Sequence, residues 1–151
     1  MIKVLNSNNG ISYERVMSLI NYDIPVGDTA NALNGYSYAN LCNGFQVYTP
    51  NKDLDNLVTS IRRFIYLPNY NTKIGIVHNT PSPERVICDF LMYPDKLGSS
   101  LYLLDAMEGY VEEYDNFDKV YEMMNLFNIP KEKLDDFIPY MWQGSNCGAI
   151  D

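Results

Sequence analysis

The chain has 151 residues, of which 46% are hydrophobic and 20% are charged, a size and composition typical of one globular domain. This composition excludes disorder of the whole chain. No apolar run is long enough to cross a bilayer, and the first six residues lack the apolar stretch of a secretory signal, so we expect a cytoplasmic protein.

The net charge of −8 lies entirely in the last third of the chain. Residues 1–104 carry eight acidic and eight basic side chains, whereas residues 105–151 carry eleven acidic side chains and three lysines. The negative electrostatic potential of such a region repels nucleic acid and attracts basic surfaces. We therefore expect a protein partner with a basic surface and no direct contact with nucleic acid.

The N-terminal part of the chain shows short strand and helix patterns. The predicted elements are an arm or edge strand at 3–5, a helix over about 12–21 that Ser12 caps, and a helix over 29–34 that Asp28 caps and Gly35 ends. Alternating side chains then predict a strand at 45–49, which Pro50 ends.

The middle of the chain predicts one further helix and one further strand. A helix opens at Asp53 and ends before Pro68, with an apolar stripe formed by Leu54, Leu57, Val58, Ile61 and Ile65. A second strand follows at 73–78.

The C-terminal half is predicted to be wholly helical. The helices cover 83–93, about 100–114, 117–127 and 131–141. The helix at about 100–114 is predicted to point Leu104, Met107, Val111 and Tyr114 inward. The helix at 117–127 should point inward Phe117, Val120, Tyr121 and Met124. The helix at 131–141 should point inward Leu134, Phe137, Ile138 and Met141. The fold class that follows is α+β with a small sheet, as one domain over 1–142 and a flexible tail over 143–151.

Metal, cofactor and catalytic patterns are few. The three cysteines, Cys42, Cys88 and Cys147, are widely spaced and His78 is the single histidine, so we expect reduced thiols, no zinc site and no cofactor. The chain contains no nucleophile elbow, phosphate-binding loop or metalloprotease motif. We expect no enzyme, although a Cys42–His78 or Cys88–Asp89 pair formed in space stays open.

The most specific signal is T-P-S-P-E-R-V-I-C-D at residues 80–89. Ser82 is a good helix cap, Pro83 suits the first helical position, and Glu84 suits the positive end of the helix dipole. Arg85 and Asp89 lie four residues apart and can pair, which on an exposed surface contributes only about 0.3–0.5 kcal/mol.

This segment resembles the S-P-E-R-T-(apolar)-x-D helix start of the AbiEi-type antitoxins of type IV toxin–antitoxin and abortive-infection systems. The likeness continues downstream as F-L-M-Y-P-D-K-L-G-S-S-L and upstream through the 28–37 segment and the strand that ends at Pro50. In all, roughly residues 25–142 resemble the C-terminal domain of that family.

The resemblance implies a protein that neutralises a nucleotidyltransferase toxin by direct contact. Members of the family also carry an N-terminal winged helix that represses their promoter, but only about 24 residues precede the similar region here. The resemblance therefore does not imply DNA binding or autorepression for this chain. The alternative hypothesis is a phage or mobile-element inhibitor of a host defence nuclease, an anti-CRISPR or antirestriction protein whose acidic face mimics nucleic acid.

The candidate partner-binding surface is the acidic run that follows Asp105. Its residues are Glu108, Glu112, Glu113, Asp115, Asp118 and Glu122. On one continuous helix they line one face, unless Asn116 interrupts that helix by capping the next one. Such a face is either a solvated surface or one that steers a basic partner.

Overall fold

The computed structural model describes residues 23–36, 45–59, 61–98 and 100–142. The predicted elements at 3–5 and 12–21, the predicted tail at 143–151, and Cys42 and Cys147 lie outside these ranges.

A short helix packs beside the first strand at the start of the described chain. Helix α1, Gly27–Leu33, begins two residues earlier than predicted, and its N-cap is Val26 with no side-chain cap, so the prediction that Asp28 caps it was wrong. Asp28 instead lies in the first turn, where a carboxylate suits the helix dipole. Gly35 has a φ of 86° after the helix, which confirms the predicted left-handed stop.

Three strands form the main sheet. Strand β1, Phe45–Thr49, follows the predicted alternation, with Phe45, Val47 and Thr49 buried. It pairs in parallel with β3, Arg62–Tyr66, and β3 pairs antiparallel with β2, Val58–Thr59, so that β3 lies in the centre.

The predicted helix from Asp53 to just before Pro68 was wrong, because β2 and β3 occupy that part of the chain. Only Lys52–Leu54 forms a single 3₁₀ turn. The Asp55 carboxylate accepts a hydrogen bond from the backbone N of Tyr66 at 2.9 Å, which folds the chain back on itself. Aromatic and β-branched side chains in β3 favour a strand, and tertiary pairing with β1 outweighs the helical spacing.

The second predicted strand is much shorter than 73–78. Strand β4, Ile76–Val77, pairs with β5, Thr80–Pro81, around a turn in which His78 and Asn79 both have positive φ. The preceding residues are not extended, since the Asn71 side chain accepts from the backbone N of Lys73 and of Ile74. An Asx turn of this kind competes with strand pairing.

The rest of the described chain is helical, which confirms the α+β class with a helical C-terminal half. The helices are α2, Pro83–Met92, α3, Ser100–Tyr114, α4, Asp118–Leu126, and α5, Glu132–Asp135. The predicted helix over 131–141 was wrong in length, because a separate 3₁₀ turn forms at Ile138–Tyr140. Pro139 lacks the N–H that would continue α5.

The core lies between these helices and the sheet. Of the inward positions predicted for α4 and its start, Phe117, Val120 and Met124 are buried and Tyr121 is half-buried. The prediction of which side of α3 faces inward was partly wrong. Met107 is buried as predicted, but Tyr114 is 43% exposed. The other buried residues of α3 are Leu103, Ala106 and Tyr110. Within the described parts of the chain, no helix is long and apolar enough to span a membrane.

Candidate functional site

The start of α2 is built as the sequence predicts. The Ser82 hydroxyl accepts a hydrogen bond from the backbone N of Arg85 at 3.2 Å, and Pro83 occupies the first turn. Glu84 also lies in this turn, where its carboxylate suits the helix dipole. The motif therefore acts first as a well-formed helix N-terminus.

The Arg85–Asp89 pair forms, but it is buried, so the expectation of an exposed pair was wrong. Arg85 Nε lies 2.7 Å from Asp89 Oδ1, and the two side chains are 0% and 2% exposed. The Tyr70 hydroxyl donates to Asp89 Oδ2 at 2.6 Å. Burial raises the pKa of Asp89 to about 6, and the Arg85 guanidinium and the Tyr70 hydroxyl limit that rise.

Arg85 also holds the segment that leads into α2. Its Nη1 donates to the Ile74 carbonyl, and its guanidinium lies 4.4 Å from the Tyr70 ring centroid and 4.8 Å from that of Phe127. Gly75, with a φ of 73°, packs directly against the Arg85 Cβ. The motif residues therefore fasten the 70–82 segment to the core, and the buried Arg85 and Asp89 side chains do not reach a partner.

An open acidic cleft of about 440 Å³ lies along α3 and is the strongest candidate for a binding surface. The acidic side chains that line it are Asp105, Glu108, Glu112 and Glu113. Of the described residues along its walls, none is a lysine or an arginine. Spacings of three and four residues place these carboxylates on neighbouring turns of one helix face.

Two aromatic residues from distant parts of the chain complete this acidic cleft. The Tyr36 hydroxyl donates to Glu113 Oε2 at 3.3 Å, and the backbone N of Trp142 donates to Glu108 Oε2 at 2.6 Å. Gly109 makes room for the Tyr36 ring, because a Cβ at that position would lie 2.4 Å from Tyr36 Cδ1. The cleft thus has acidic groups on its α3 side and aromatic groups at its edges.

The electrostatics of the acidic cleft are one-sided. Asp105 is exposed to solvent on one side, but its partial burial in the cleft raises its pKa, and the neighbouring carboxylates of Glu108 and Asp28 raise it further. Burial also raises the pKa of Tyr36, and the Glu113 carboxylate adds to that rise, so Tyr36 stays a protonated donor. A cation that enters the cleft relieves the repulsion between these groups.

The structure separates the predicted acidic residues into two groups. Glu108, Glu112 and Glu113 line the cleft. The other three, Asp115, Asp118 and Glu122, are exposed but do not line the cleft. The reason is that α3 ends at Tyr114 and Asp115 follows it with a φ of 72°, whereas Asp118 and Glu122 belong to α4. The helix break at Asn116, whose side chain accepts from the backbone N of Asp118, is confirmed.

The predicted binding surface omitted one acidic and two aromatic residues of the cleft, Asp105, Tyr36 and Trp142. Asp105 lies one helical turn before Glu108, so the spacing alone was enough to include it. Tyr36 and Trp142 lie 77 and 34 residues from the glutamates to which they donate. No local pattern links such distant residues to α3, and only the tertiary structure brings them together.

The described residues include the Cys88–Asp89 pair and side chains of the types that bind metal ions. Cys88 is fully buried, and burial raises the pKa of its thiol to about 12, so a Cys88–Asp89 pair has no reactive thiolate at neutral pH. Among residues 23–36, 45–59, 61–98 and 100–142, no three His, Cys, Asp or Glu side chains gather closely enough to hold a metal ion.

No protein-family model, curated protein or solved structure matches this chain. The likeness to the AbiEi-type antitoxins rests on the residues quoted above, and it stays a prediction.

Proposed function

We propose that this protein is an antitoxin-like inhibitor that binds a nucleotidyltransferase-type toxin by protein–protein contact in the cytoplasm. The observation that carries the proposal is the acidic cleft, where four carboxylates share one surface without a basic residue among the described side chains that line it. A basic side chain of the partner would fit between Tyr36 and Trp142, since aromatic faces also attract cations. The proposal includes no catalytic activity and no cofactor.

The like charges along the acidic cleft lower the stability of the isolated protein, which supports a role for them in binding. Like charges one helical turn apart destabilise a helix by about 0.2–0.5 kcal/mol per pair. Asp105, Glu108 and Glu112 are spaced in this way on α3. Charge complementarity at an interface speeds association and suppresses wrong partners. The same charges that lower the stability of the isolated protein would therefore provide specificity for a basic partner.

The same cleft supports a second candidate function, inhibition of a host defence nuclease. A row of carboxylates can occupy the groove in which a nuclease holds phosphates. A competition experiment with nucleic acid distinguishes the two functions. A nucleic-acid mimic displaces DNA or RNA from its target, whereas an antitoxin of the first kind binds equally well when nucleic acid is present.

We expect reversal of two cleft charges to slow association with the purified toxin. The test variant is D105K/E112K, because both side chains are exposed and line the cleft. Its matched control is D53K/D136K, two exposed acidic residues outside the cleft. Both variants change the net charge from −8 to −4. Stopped-flow association at about 50 mM salt should be roughly tenfold slower for the test variant than for the control.

Salt provides the second arm of this experiment. At about 500 mM salt the two variants should associate at nearly equal rates, because exposed charges are screened within a few ångströms. Equal rates for both variants at low salt would show that the cleft is only solvated surface. Circular dichroism on each variant checks that the helices are intact.

A further inference from the structure

A second pocket, of about 240 Å³, opens between the end of α2, the start of α3 and α5. Its floor consists of Phe90, Leu91 and Leu103, which are 3–7% exposed, and Phe137 adds a half-buried ring. An apolar cavity of about 150 Å³ is large enough for benzene. This pocket therefore has room for an aryl group or a medium-length acyl chain.

One charged group lines this pocket. Lys133 is exposed, and its ammonium has no hydrogen-bond or ion-pair partner in the part of the chain that the structure describes. Acidic neighbours in α5, Glu132 and Asp135, do not line the pocket, and Asp135 accepts a hydrogen bond from Tyr121. The pocket thus combines apolar walls with one unpaired cation, in a chain that has an excess of carboxylates.

We propose that this pocket binds a small apolar monocarboxylate, with its hydrocarbon part against Phe90, Leu103 and Phe137 and its carboxylate at Lys133. Apolar contact supplies the affinity and one polar group fixes the orientation, as in most small-molecule sites. The site lies on different elements from the acidic cleft, apart from α3. The proposal is independent of the antitoxin function.

Octanoate is the probe for this pocket, with octan-1-ol and octylammonium as matched ligands. We expect octanoate to bind more tightly than octan-1-ol and octylammonium not to bind, as measured by amide chemical-shift titration. Lys133→Met keeps most of the apolar stem and should weaken octanoate binding about three- to tenfold. Lys131→Met is the control, since that ammonium lies 4.9 Å from the Tyr121 ring centroid and does not line the pocket.

Three results would overturn this proposal. The first is no octanoate binding at millimolar concentration, and the second is equal binding by wild type and Lys133→Met. The third is concentration-dependent dimerisation that Ser100→Trp, at the exposed mouth of the pocket, abolishes. That last result would assign the pocket to a contact between copies of the chain.

Discussion

Arg85→Met should destabilise the protein by about 3–5 kcal/mol, because it leaves the buried Asp89 carboxylate without its cation. The substitution also removes the donor to the Ile74 carbonyl. Such a loss is a large part of the 5–15 kcal/mol by which a typical domain is stable. Urea unfolding followed by far-UV circular dichroism measures the change in the free energy of unfolding.

Two further variants make this prediction specific. Arg62→Met breaks the Arg62–Asp23 pair, whose side chains are 32% and 19% exposed, and should cost less than about 1 kcal/mol. The double variant R85M/D89N removes both buried charges and should be at least about 1 kcal/mol more stable than R85M. If Arg85→Met and Arg62→Met cost the same, the buried pair does not have the structural role assigned to it.

Gly75→Ala should destabilise the protein by about 2–4 kcal/mol, for two separate reasons. The residue has a φ of 73°, a conformation that costs an L residue about 1–2 kcal/mol. Its new Cβ would also lie 2.9 Å from the Cβ of Arg85 and 2.9 Å from the Cε of Met123. Crowding of this kind typically adds about 1–3 kcal/mol.

Gly98→Ala is the matched control for this second prediction. Gly98 has a φ of 103°, but its new Cβ would meet only ring atoms of Tyr102, a side chain that is 36% exposed, so we expect this ring to rotate toward solvent. Its cost should be that of the backbone alone, about 1–2 kcal/mol. Thermal unfolding of both variants measures the difference, and a Gly98→Ala loss as large as that of Gly75→Ala would contradict the argument.

Local signals in the sequence were enough for much of the helical half. Ser82 and Pro83 start α2 as predicted, and the spacing of Val120 and Met124 correctly assigns the inner face of α4. These features depend on neighbours within one or two turns. Local patterns therefore sufficed for the α+β class and for the positions of α2, α3 and α4.

The failures come from contacts between distant residues. Leu57 and Val58 fit a helical stripe, yet they are 44% and 52% exposed, because β3 pairs with β1 and draws this stretch into a sheet. The spacing of Arg85 and Asp89 predicts that they pair but not that Tyr70 and Phe127 cover them. Burial of a charged pair depends on what the rest of the chain places around it.

The acidic surface was predicted in composition but not in shape. Three of its six predicted residues line the cleft, and Tyr36 and Trp142 join it from opposite ends of the described chain. The binding proposal therefore rests on Asp105 and Glu112, which are exposed in the cleft, more than on Asp115, Asp118 and Glu122. This distinction decides which charges an experiment should reverse.

Growth rescue tests the central claim most directly. Cells that express a nucleotidyltransferase toxin of the type IV class should stop growing, and co-expression of this chain should restore their growth. The control variant D53K/D136K should rescue as well as wild type, whereas D105K/E112K should rescue poorly at equal protein levels. Failure of the wild-type chain to restore growth, when it is folded and abundant, would contradict the antitoxin function.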